Sequence, residues 1–84
     1  MAPMAMPGMM TDEEMADLGA MTGPALDRMF LAMMIRHHEG AIEMSEQVLA
    51  DGEDPDVAAL ARSIIATQQA EIEAMQAMLA ARPA

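Results

Sequence analysis

Ala50-Asp51-Gly52-Glu53-Asp54-Pro55 is the stretch that decides the fold. Gly52 closes the patterned run before it, because a glycine just past a helix end carries no Cβ penalty. Asp54 and Pro55 open the run after it. A carboxylate caps free amide N–H groups, and the proline ring has a φ suited to the first helical turn. A turn this short makes two long helices antiparallel neighbours. The spacing predicts one helix from Pro24 to about Ala50 or Asp51, preceded by the interruption Thr22-Gly23-Pro24. It predicts another from Pro55 to about Ala81, where Pro83 bars extension.

Upstream, Thr11-Asp12-Glu13-Glu14 has the form of a capping box, with Thr11 as N-cap and Glu14 reaching back to it. A short helix is expected from Asp12 to about Ala20. Residues 1–10, Met-Ala-Pro-Met-Ala-Met-Pro-Gly-Met-Met, contain two prolines and a glycine. They read as a flexible Met-rich tail ahead of a single helical domain, 11–84. The tail is either a linker or an extended segment whose thioethers wrap a soft ion. It has neither the charged start nor the continuous apolar centre of a signal peptide. No apolar run reaches membrane-spanning length, so no membrane insertion is expected.

Projected at 100° per residue, the second helix shows two adjoining apolar stripes. Leu26, Phe30, Met33, His37, Ala41, Met44 and Val48 form one. Leu31, Ile35, His38, Ile42 and Leu49 form the other. The third helix gathers Val57, Leu60, Ala61, Ile64, Ile65, Ile72, Met75, Met78 and Leu79 on one face, with Gln68 at its centre and Glu71 near its edge. A helix apolar over so much of its girth needs cover on two sides, and a lone hairpin buries too little to be stable at this size. The expected fold is therefore all-α: a short N-terminal helix and a long antiparallel hairpin, completed to a four-helix bundle by homodimerisation.

Methionine supplies 13 of the 84 residues, Phe30 is the only aromatic, and cysteine is absent. Without cysteine there are no disulfides, thiolate nucleophiles or Cys-type zinc sites. Fourteen acids against four arginines and no lysine give a formal net charge of −10. That charge argues against nucleic acid and anionic membranes as partners, and it concentrates cations near the chain.

Both histidines lie in Met29-Phe30-Leu31-Ala32-Met33-Met34-Ile35-Arg36-His37-His38-Glu39-Gly40-Ala41-Ile42-Glu43-Met44. Imidazole with thioether suits Cu(I) or Ag(I). Residues three and four apart are neighbours on a helix, so Met33 or Met34 with His37, and Met34 with His38, are candidate ligand pairs. Met44 and, across the hairpin, Met75 are further candidates, with Met78 a weaker one. Adjacent histidines point about 100° apart on a helix and so serve two sites, or one completed from another helix or subunit. The projection puts His37 at the core centre with Met33, Met44, Gln68 and Glu71, and His38 on the flank with Met34. The structural alternative is a hydrogen-bond network in which Glu71, with Gln68, satisfies His37. A Glu71 that binds metal directly would instead favour Zn²⁺, iron or Cu(II). No Glu precedes either histidine by three residues, as diiron sites require, and no nucleophile–base pair is present. The chain is expected not to be an enzyme.

The run Asp27 to Met44 resembles the signature of the DUF305 family, and Gln68-Gln69-Ala70-Glu71-Ile72-Glu73-Ala74-Met75 resembles its second motif. The resemblance runs from Thr11 to Leu79. It implies a ferritin-like helical bundle, periplasmic or secreted, related to copper-binding proteins of the CopM type that support copper resistance. Met34, His37, His38 and Met44 then correspond to the metal-binding motif, and Gln68, Glu71 and Met75 to the second motif. Copper-binding relatives often carry two copies of the unit and this chain has one, which fits assembly as a homodimer or higher homo-oligomer. The expected function is sequestration or transfer of copper outside the cytoplasm, as Cu(I) in preference to Cu(II), with Ag(I) as an alternative. The competing expectation is a dimeric interaction module whose buried His, Gln and Glu set register.

Overall fold

The computed structural model describes residues 8–82. They form α1 (Asp12–Ala20), α2 (Gly23–Asp51) and α3 (Pro55–Ala80), with no strand among the described residues. Residues 1–7 and 83–84 lie outside that description, and with them most of the expected tail and the expected stop at Pro83.

The helix ends follow from side-chain chemistry. The Glu14 amide donates to Thr11 Oγ1 at 3.1 Å, and the Thr11 amide donates to Glu14 Oε1 at 2.9 Å, which closes the capping box. Asp54 Oδ1 accepts from the amides of Asp56 at 2.8 Å and Val57 at 3.4 Å. α2 starts one residue earlier than expected, with Pro24 in its first turn, and α3 ends one residue earlier.

Gly52 ends α2 for a different reason from the one expected. Its backbone is extended (φ −79°, ψ 161°) rather than left-handed. A Cβ there would sit 2.6 Å from the Val48 carbonyl oxygen, which accepts the Gly52 amide at 2.8 Å. Gly52→Ala must push the turn away from the helix end. The expected cost is about 1–2 kcal/mol, read as a lower urea midpoint with an unchanged m-value.

Packing runs almost entirely between α2 and α3. On α2, Leu31, His38 and Ser45 are buried at seven-residue intervals, with Ile35 and Ile42 half-buried between them. On α3, Ala61, Ile65, Gln68, Ile72, Met75 and Leu79 are buried or half-buried at alternating steps of four and three. This is the 3.5-residue repeat of a coiled-coil seam. Gly40 and Ser45 are buried and Ala41 is half-buried, so small residues let α3 approach closely. The Ser45 hydroxyl donates to the Ala41 carbonyl at 2.8 Å, so its burial leaves no group unsatisfied.

This seam corrects the expected core. The α2 stripe led by Phe30, His37 and Met44 faces outward, with Phe30 51% and Met44 39% exposed. On α3, Val57, Leu60 and Met78 are exposed as well. A single hairpin partner covers only one of the two stripes, and Leu31, Ile35, His38 and Ile42 lie on the covered side.

α1 is tied to α2 by Arg36. Its guanidinium donates to both oxygens of Glu14, at 2.7 Å each. That bidentate contact, then the Thr11 amide, holds the Glu14 carboxyl at about 2, below its usual 4.5. A depressed carboxylate stabilises the docked helix fully above about 4.5, and the contribution is lost as pH falls towards about 2. We expect α1 to detach across that window, seen as backbone NMR shifts in 12–20. In Arg36→Gln, Glu14 should titrate closer to its usual value, and detachment should begin at higher pH.

Candidate metal centre

The two histidines occupy different environments. Their ring centroids are 6.2 Å apart with planes at 66°. His38 lies in the seam, 8% exposed, and faces α3. Its Nδ1 lies 2.7 Å from the Met34 carbonyl oxygen, and its Nε2 lies 2.5 Å from Glu71 Oε2. A carbonyl oxygen only accepts, so Nδ1 carries a proton and donates it. Nε2 is thereby left facing the Glu71 carboxyl across the seam. The His38 side chain is 10% exposed and that of Glu71 49%, so the acid reaches in from the rim of the seam.

The structure thus exchanges the expected roles of the histidines. Glu71 is the imidazole partner, but of His38 and not of His37. Gln68 is half-buried on α3 and hydrogen-bonds neither histidine among the described residues. The pairing of residue 38 with 71 also fixes the register. One turn earlier on α2 and one turn later on α3, it sets Met34 level with Met75, and both are half-buried.

His37 faces the other way, into an apolar groove of about 440 Å³. From α2 the groove takes His37, Ala41, Met44 and Val48, and from α3 it takes Val57, Leu60 and Ile64, with Ser45 and Ala61 also lining it. Met9 joins them from the segment before α1. Gly8 makes that approach possible: its φ is +77°, and a Cβ on it would lie 2.5 Å from the Arg36 carbonyl oxygen. The chain therefore passes directly over the backbone at Arg36 and His37. His37 makes no hydrogen bond among the described residues, so both ring nitrogens remain available for other partners.

One imidazole and two thioethers, from His37, Met44 and Met9, share this groove. Met33, one turn before His37, is half-buried and does not line it; nor do Met34 and Met75. Met9 is the contributor that helical projection does not reach, because no periodicity links a Pro- and Gly-containing segment to a helix face. Among the described residues no three His, Asp or Glu side chains gather as metal-ligating groups do. A site here would accordingly draw on thioether sulfur, which suits soft ions.

Fold and site together define a small all-α domain, a helical hairpin with a short N-terminal helix and a Met/His groove on its outer side. The chain belongs to the DUF305 family, described as a domain of unknown function, whose model matches residues 1–79. Its backbone is similar to the crystal structure of a DUF305 protein from Streptomyces coelicolor described as a candidate secreted protein. The TM-score is 0.83 at 35% sequence identity, over 89% of this chain and 46% of that one. It is also similar to an uncharacterized protein of Acanthamoeba polyphaga mimivirus, 42% identical over 53 residues, which are 63% of this chain and 35% of that protein. The chain thus spans about half the length of the solved relative and about a third of the viral one. No helix among the described residues is long and apolar enough to cross a membrane.

Proposed function

We propose that the domain is a non-enzymatic soft-metal binder that takes up copper as Cu(I), with Ag(I) as its chemical analogue. The observation that carries this reading is the convergence of Met9, His37 and Met44 on one apolar groove, with the His37 ring nitrogens uncommitted. Thioethers carry no proton to displace and form no disulfides, so they remain ligands in an oxidising compartment. Cu(I) accepts thioether and imidazole donors at low coordination number, and an apolar wall keeps competing water away. The net charge of −10 favours cation approach. The reading includes copper sequestration or transfer in the periplasm or outside the cell, as in CopM-type proteins, and a homodimer that makes up a ferritin-like four-helix bundle. The description of the solved relative as a candidate secreted protein favours that location.

The direct test is competition for Cu(I) against a chromogenic chelator, with Ag(I), Cu(II) and Zn(II) in parallel and native mass spectrometry for stoichiometry. Cu(I) and Ag(I) should bind ahead of Zn(II), and the Met9 and Met44 methyl resonances should move while that of Met78 does not. Equal weak binding of all four ions, or shifts spread evenly over the methionines, would count against the groove.

A second reading is favoured by a different observation. His38 has both nitrogens engaged in the seam, and Glu71 occupies the nitrogen that a metal would need. In that reading His38 and Glu71 set the hairpin register and the domain acts as an interaction module. The two readings concern different histidines and are separable by mutation.

A further inference from the structure

The described core is small for a folded domain. Leu31, Ala61 and Ile72 are its buried apolar residues, and no large side chain is fully enclosed. The Cα atoms fill a slab 45 × 35 × 14 Å, which is one layer of helices. Stable domains stack at least two layers around a core.

The two sides of the slab differ. On one side, Glu39, Glu43 and Glu46 line a shallow depression, where a second acidic chain would meet like charge. The other side carries the groove, flanked by Leu60 at 60% exposure and Val57 at 46%, with Phe30 further along the outward stripe of α2. No described acid lines the groove. Ala41, half-buried, lies at the floor of that groove. A solved relative about twice as long matches this chain over only 46% of its length, so a related fold carries a further stretch of chain of similar size.

We infer that the groove side is the seat of a second copy of this chain, which packs over Met44, Val57 and Leu60 and closes the His37 site between the two subunits. This deepens the dimeric part of the reading above by naming its surface. The surface is tested on metal-free protein, so its failure is distinguishable from a failure of copper binding.

Sedimentation equilibrium of the metal-free chain at high micromolar concentration should give twice the 9.0 kDa chain mass. Leu60→Glu should shift the protein to monomer, whereas Met78→Glu, outside the groove, should leave it dimeric. Because Leu60→Glu can also unfold an obligate dimer, a second measurement uses the absence of native cysteine. Single Leu60→Cys or Met44→Cys chains should be joined quickly by a short bismaleimide, and Glu46→Cys slowly. A wild-type chain at monomer mass overturns the proposal. So does a dimer that cross-links through Glu46→Cys as fast as through Leu60→Cys. A wild-type monomer that becomes dimeric on changing Met4 and Met6 to Ser would place the chain's own N-terminal segment in the groove and likewise overturn it.

Discussion

His38→Ala lowers the melting temperature by roughly 10–20 °C, and His37→Ala lowers it by less than half as much. The difference follows from position. His38 fills the seam between Leu31 and Ser45 and holds two hydrogen bonds. Truncation opens a void beside α3 and releases both bonds, at about 2–3 kcal/mol. His37 lies on the groove side and makes no hydrogen bond among the described residues. Glu71→Ala should cost less than His38→Ala, about 1–2 kcal/mol, because half of the Glu71 side chain is in water already. A double-mutant cycle on the pair should return a coupling of about 1–2 kcal/mol. Additive single effects would show that the 2.5 Å contact has no energetic consequence. Equal losses at His37 and His38 would restore the arrangement in which His37 faces the core.

Saturation with Cu(I) or Ag(I) raises the melting temperature of the wild-type chain. At one hundred times the dissociation constant the native state gains about 2.7 kcal/mol, or roughly 10–20 °C for a domain of this size. The effect should shrink in Met9→Leu and Met44→Leu and vanish when both are combined with His37→Ala. Met→Leu keeps volume and apolarity, and each such change should cost under about 1.5 kcal/mol without metal. Loss of the metal shift is then loss of ligands, not of the fold. His38→Ala should keep the metal shift from its lower starting point. Protein concentration must be held fixed, since self-association of any chain moves its melting temperature. If a large excess of either ion leaves the wild-type curve in place, the soft-metal reading is wrong. A full shift in the triple variant would move the site to other methionines, with Met34 and Met75 next in line.

Much of the fold was legible because its signals are local. Thr11 and Glu14, Gly52, and Asp54 with Pro55 each act on backbone groups a few residues away, and they set the start of α1, the end of α2 and the start of α3. The facing of α2 was not legible in that way. Both of its stripes are apolar, and a projection at 100° per residue drifts about 20° per heptad from a 3.5-residue seam. The available signal was the seven-residue step Leu31, His38, Ser45, set against Ala61, Gln68 and Met75 on α3. Read as a heptad, it puts His38 in the seam. A search for large apolar residues passes over Ser45, which is buried because it is small and bonds to its own helix. The residue types show that Glu71 is suited to partner an imidazole, but which of two adjacent histidines it meets depends on the facing of α2. Membership of the candidate site was half legible: His37 and Met44 share a face at helical spacing, while Met9 arrives by a backbone crossing that only coordinates reveal.

That crossing has a practical side. Gly8 lies against the Arg36 and His37 backbone with no room for a side chain. The chain immediately ahead of Gly8 therefore starts from the mouth of the groove. A polyhistidine tag at the N-terminus would tether competing imidazoles within a few residues of the groove lined by Met9, His37 and Met44, and would bias titrations towards harder ions. The far end of α3 is the better attachment point for purification handles.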